Sequence, residues 1–383
     1  MKTMGEQARR PIDKKFSMLL RAFWGGLAFF SGALTLLWLL SAALMPAPQP
    51  WCVRSEQLRG VYHLHAQGHD GVDRSSRLAQ VAELLCLDFI VVSEHQGQPS
   101  MRKQQPSTLI LDGAEWTVGR HHHGQLIGHF EPVEDEALSR FRVLNHGRSS
   151  GVSSTAALTQ EEWQALRSGE LAIEISNVAR WWRQAPWAER WRAAAIGLQR
   201  MDLFLAALSR PGPDVGLWEQ AMQETGRALP MLCGSDAHGG LVDYPDAMRA
   251  AVLVLARGTP RSREAIAARL MRSEFFCVNE TMGALRSIEQ GLDPARCVLS
   301  LQGDWGDAQW RLIHNGRELE RGREPAEWLL SEDGFYRVEL WKDVDFSLWG
   351  SLPRLWAFGG AVSRQSSCRL GTRPVPPSRG RGE

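Results

Sequence analysis

From Gly60 to about residue 280, short apolar runs alternate with amphipathic helical segments, and this alternation leaves few architectures open. The spacing predicts strands at Val61–His65, Phe89–Ser93, Thr108–Leu111, Gln125–Gly128, Arg142–Asn145, Ala172–Ser176, Pro230–Gly234 and Ala251–Ala256. It predicts helices at Ser75–Cys86, Gln160–Arg167, Trp187–Leu208, Val215–Ala228 and Arg261–Met271. In the first of these helices Leu78, Val81, Ala82 and Leu85 recur at three-to-four spacing, which builds one apolar face. Strands that alternate with helices over such a length imply a parallel α/β architecture, most economically a barrel.

Six of the apolar strands carry a histidine or carboxylate at or beside one end. His63 and His65 close the first strand, with Asp70 in the Gly-flanked loop that follows. Alternation points residues i and i+2 to the same face, so both imidazoles can converge on one ion. Glu94 and His95 end the second strand, Glu115 follows the third, and His121, His122 and His123 precede the fourth. His146 ends the run RVLN, and Asp236 and His238 follow PMLCG. Ten of the eleven histidines fall between His63 and His238, where an even scatter would place about half of them. A single buried histidine is usually hydrogen-bonded core, but a set at corresponding strand ends points to a metal site holding several ions. The ligand types are imidazole and carboxylate without thiolate, which suits Mn, Fe or Zn rather than Ca or Cu(I). The net charge of +1, from 44 Lys and Arg against 43 Asp and Glu, excludes a nucleic-acid scaffold driven by bulk positive charge.

Residues 22–45 run for 24 positions without a charge. As a helix that length spans about 36 Å, enough for a hydrocarbon core of about 30 Å. Lys2, Arg9, Arg10, Lys14, Lys15 and Arg21 precede it, against Glu6 and Asp13. The basic flank predicts a cytoplasmic segment 1–21, an inner-membrane anchor 22–45 and an exported, periplasmic remainder. Ser41-Ala42-Ala43 leaves signal cleavage open, although the run is longer than the usual signal core. Residues 46–57 read as a Pro-rich stalk. Six cysteines would then lie in an oxidising compartment. Cys86 and Cys233 read as buried small hydrophobes, and Cys277 with Cys297 as a plausible bridge.

After Met282 the texture changes. Cys297–Leu301, Trp310–His314, Tyr336–Trp341 and Arg354–Phe358 read as strands, with turns at Asn315-Gly316 and Asp333-Gly334. This predicts a small all-β domain over 282–364, followed by a disordered tail at 365–383.

The motifs HLHAQGHDG, LDFIVVSEH, LDGAEWTVGRHHHGQLIG, LNHG, AIEISN and GSDAH stand in one order along residues 58–281. In that order the chain resembles the polymerase-and-histidinol-phosphatase (PHP) metallohydrolase superfamily, and within it the carbaryl-hydrolase-like branch. The resemblance implies a distorted (β/α)7 TIM-like barrel, with the C-terminal all-β domain as a sandwich-like accessory module. It also implies a metal-ligand set of His63, His65, Asp70, His95, Glu115, His123, His146, Asp236 and His238, enough for two or three divalent ions. Glu115 would bridge two of them, and Glu115, Asp236 and His238 would act in catalysis. The triple histidine leaves open whether His122 or His123 is the ligand. Glu94, Gln96 and Gly147 depart from the family's usual Asp, Asn and Pro, which bears on the groups behind the ligands. Three ions against Asp70, Glu115 and Asp236 leave surplus positive charge, which suits an anionic ester. Metal-dependent hydrolysis of a small phosphomonoester or phosphodiester by a metal-bridging hydroxide is therefore expected, with Arg148 as a candidate substrate-binding phosphate clamp. The alternatives are a carbamate or carboxylic ester hydrolase and a non-catalytic metal-binding sensor module.

Overall fold

The computed structural model describes residues 12–44, 52, 54–67, 71–95, 107–118, 121–126, 142–145, 157–175, 191, 193–196, 200–209, 213–237, 244–346, 350–364 and 368. The chain divides into two compact units. One holds the helix α1 (Ile12–Leu44) with Asp345–Ser351; the other spans Pro48–Val344 and Leu352–Glu383. Within α1, Met18–Leu36 is long and apolar enough to cross a membrane or to serve as a signal sequence.

The second unit is built on a closed barrel of seven strands. These are β1 (Arg59–Leu64), β2 (Phe89–His95), β3 (Leu109–Val118), β4 (His121–Leu126), β5 (Arg142–Asn145), β6 (Leu171–Ile175) and β7 (Met231–Ala237), in that order, with β7 returning to pair with β1. Strands β1 and β6 are buried along their whole length, including their polar residues Arg59, His63 and Glu174. Outside them pack α2 (Ser75–Leu84), whose Leu78, Ala79, Val81 and Ala82 are buried, and α3 (Gln160–Ser168). Thr159 and Glu162 form a capping box at the start of α3, and Gly169 ends it in the left-handed conformation at φ 83°. Further along lie α4 (Met201–Leu208), α5 (Pro213–Thr225), α6 (Tyr244–Arg249) and α7 (Arg263–Met271).

The barrel departs from a regular (β/α)7 arrangement at one strand. β4 runs antiparallel to both β3 and β5, whereas the other neighbours pair in parallel. Two residues separate Val118 from His121, and a parallel connection needs a crossover of about a dozen. The triple histidine consequently lies inside β4 and does not precede it.

The sheet also continues past the barrel. The first half of β1 pairs with β8 (Val252–Leu255), and β8 pairs with β9 (Phe275–Val278). From β9 the sheet passes to β16 (Ser351–Gly359), β15 (Phe335–Asp345), β12 (Gln309–His314) and β13 (Arg317–Gly322). A second sheet holds β10 (Ser287–Asp293), β11 (Val298–Asp304) and β14 (Ala326–Leu329), with the short β17 (Val362–Ser363) beside β15. Asn315 and Gly316, both at positive φ, make the two-residue turn from β12 to β13.

All six cysteines are paired, as Cys52–Cys86, Cys233–Cys277 and Cys297–Cys368. This corrects the expected Cys277–Cys297 bridge and the reading of Cys86 and Cys233 as free apolar fillers. Cys233 on β7 and Cys277 on β9 approach to a Cα separation of 5.9 Å, which no spacing along the chain reveals. Cys368 lies in the segment expected to be disordered, yet it is tied to Cys297.

Candidate metal centre

The ends of β1 and β7 have irregular backbones. Between the pairs Val61–Ile90 and Leu64–Val92, β1 carries one residue more than β2, which is a bulge. His63 sits there at φ 67°. β7 shows the corresponding irregularity against β1, with Asp236 at φ 49°. Left-handed backbone at a non-glycine residue costs of order 1–3 kcal/mol and persists only where the surroundings impose it. Here His65 donates its backbone N–H to Ala237 O at 3.0 Å, and Ser235 Oγ donates to His63 O at 3.3 Å.

Four donor atoms meet at this point. His63 Nε2 and His65 Nε2 lie 3.0 Å apart. Both lie 3.4 Å from Glu115 Oε2, and they lie 3.4 and 3.3 Å from Asp236 Oδ1. A tetrahedral shell with metal–ligand bonds of about 2.0–2.1 Å has edges of roughly 3.3–3.4 Å. His63, His65 and Asp236 offer donor atoms that all lie within 4.8 Å of one another and so could hold a divalent ion, with Glu115 Oε2 beside the two imidazoles. His63, His65 and Glu115 are buried.

Behind the donors lie residues to which sequence reasoning gave no role. Glu174, in the middle of the apolar strand β6, takes His63 Nδ1 at 2.8 Å and so orients the ring with Nε2 toward Glu115 and Asp236. A Cβ at position 234 would fall 1.5 Å from Glu174 Oε1, so Gly234 is what lets that carboxylate reach His63. Burial opposes protonation of His63, but Glu174 and then Glu115 outweigh it and raise its pKa to about 9. Asn145 Nδ2 donates to Glu115 Oε1 at 3.0 Å. The Tyr62 hydroxyl donates to Asn145 Oδ1 at 3.4 Å, and its pKa is raised well above the ordinary value by burial and by Glu174 and Glu115. The signal for Glu174 was a charged residue inside an otherwise apolar strand.

The strand register settles how the triple histidine divides. Residues directly opposite in an antiparallel pair share a face. Glu115 faces Gly124 and Thr117 faces His122, whereas Trp116 faces His123. His122 therefore shares a face with Glu115, and its Nδ1 comes to 3.8 Å from Glu115 Oε1. His123 turns to the opposite face, where its Nε2 lies 2.9 Å from Glu162. The structure thus brings together His63, His65, Glu115 and Asp236, with His122 nearby, and separates His123 from them. Asp70, His146, His238 and Arg148 lie outside the described residues. His95 ends β2 in register with Glu115, and its side chain is likewise outside the described set.

No known protein-family profile matches the chain, and no curated protein does. The chain is similar to a solved structure. It is a two-domain protein from Bacteroides vulgatus containing a "predicted PHP-like metal-dependent phosphoesterase", 14% identical, with 82% of this chain and 98% of that chain covered at a TM-score of 0.37.

Proposed function

We propose that the chain is a metal-dependent hydrolase of small phosphomonoesters or phosphodiesters, exported from the cytoplasm and anchored by α1. The observation that carries this reading is the convergence of His63, His65 and Asp236 at ligand spacing, with Glu115 against both imidazoles. Asp70, His95, His146 and His238 complete the set by their motif positions, with His122 in the place first given to His123. Divalent ions held there would supply an activated water and offset the charge that develops on a phosphoryl oxygen.

The protein's own residues prepare that environment. Glu174 fixes the tautomer and direction of His63. Asn145 occupies one lone pair of Glu115 Oε1, which leaves Oε2 for the ligand cluster. On this reading Glu115 would bridge two ions, and Asp236 with His238, by its motif position, would act in catalysis. Asp70, Glu115 and Asp236 would bring three negative charges, fewer than the four positive charges of two divalent ions, so the centre favours an anionic ester. Arg148 is assigned as the phosphate clamp. The apolar span of α1 supports the anchor, and the three disulfides support an oxidising compartment.

The test is metal analysis together with turnover on a panel of phosphoesters and a carbamate. Glu115→Gln keeps the size but removes a ligand charge, so metal content and phosphoester hydrolysis should fall together, turnover by about 100-fold or more. A Glu115→Gln protein with full metal content and unchanged turnover would overturn the proposal. Turnover of the carbamate alone would move the substrate class to carbamates.

A further inference from the structure

His121 and His123 alternate with His122 along β4, so both lie on the face turned away from Glu115. There they meet Glu162, the third residue of α3. His121 Nδ1 lies 2.5 Å and His123 Nε2 lies 2.9 Å from the same atom, Glu162 Oε1. The other carboxylate oxygen is committed elsewhere, accepting the Thr159 backbone N–H at 2.7 Å. The three side chains are 6%, 0% and 2% exposed, and the Trp116 ring stacks beside His123 at 6.4 Å.

Placing two imidazoles and a carboxylate inside an apolar wall costs desolvation, and an ordinary strand–helix contact is made by apolar side chains at no such cost. What this arrangement provides is three converging donors from a rigid strand and a capped helix. Two imidazoles and one carboxylate, all within 4.8 Å of one another and without thiolate, form a three-ligand set of the zinc class with a fourth position left for water. We propose that His121, His123 and Glu162 bind a divalent transition-metal ion of this class, separate from the barrel-mouth centre. His121 Nδ1, His123 Nε2 and Glu162 Oε1 ligate the ion. Binding widens the present hydrogen-bond spacings by less than about 1 Å, toward the edge of a tetrahedral shell. It staples β4, the strand that runs against its neighbours, to α3.

The experiment uses the full-length chain, stripped with a chelator and titrated with zinc alone. His63→Ala/Asp236→Ala, which removes donors at the barrel mouth, serves as the background. Zinc should still bind one equivalent in that background. Glu162→Gln, whose amide oxygen can still cap α3, should weaken that equivalent by about 100-fold, as should His121→Asn. Failure of the barrel-mouth reading would leave this equivalent intact, so the two fail separately. On the unsubstituted chain, zinc should slow amide hydrogen exchange in α3, a readout that needs no variant to fold. Equal zinc affinity in the background protein and in its folded Glu162→Gln and His121→Asn derivatives would overturn the proposal. So would unchanged exchange in α3 at saturating zinc.

Discussion

His63 is held through both ring nitrogens, Nδ1 by Glu174 and Nε2 between Glu115 and Asp236. Its pKa rises on folding from the ordinary 6.5 to about 9. A group whose pKa rises contributes stability that is fully present below pH 6.5 and is lost as the pH climbs through about 9. The metal-stripped protein should therefore unfold at progressively lower denaturant concentration across that window. Glu174→Gln removes the largest upward influence and should flatten the slope; an unchanged slope would show that Glu174 does not control this proton. Proximity of His63 to His65 was legible from the i, i+2 spacing. Glu174 was visible only as a charge in an apolar strand, because its partner is 111 residues away.

Among the elements, β4 shows where reading by pattern breaks down. Its three consecutive histidines carry no apolar alternation, so they read as a loop before the strand GQLIG. The two-residue link to β3 makes a hairpin of the pair, and the hairpin register then sends His122 and His123 to opposite faces. The start of β1 is fixed differently. Arg59 and Glu280, the latter in the short 3-10 turn Glu280–Met282 after β9, form a buried ion pair with Arg59 Nε at 3.1 Å from Glu280 Oε1. The backbone oxygen of Glu280 also accepts from Arg249 Nη2 at 2.9 Å. Glu280→Ala removes the carboxylate that faces the buried Arg59 guanidinium and should cost about 3–5 kcal/mol in denaturant unfolding. A loss below about 1 kcal/mol would mean that water reaches Arg59 in the variant.

At the scale of the whole molecule, three disulfides close loops of 34, 44 and 71 residues. The largest, Cys297–Cys368, ties the C-terminal segment to the strand module. Cys297→Ser/Cys368→Ser should lower stability by about 4 kcal/mol in calorimetry, and a change below about 1 kcal/mol would show that the bridge does not restrain the unfolded chain. Several features follow from the sequence by itself: the alternation of strands and helices, the Asn315-Gly316 hairpin turn, the apolar N-terminal helix, and the clustering of His and carboxylate at strand ends. All of these depend on spacings of a few residues, which local stereochemistry converts directly into backbone shape. Only the tertiary structure decided that β4 reverses, that the sheet runs from the barrel into the C-terminal strands, and which cysteines pair. It alone decided that Gly234 makes room for Glu174, and that one histidine triplet serves two opposite faces of the wall. Each of these depends on contacts between residues far apart in the chain, and those contacts exist only once the barrel has closed.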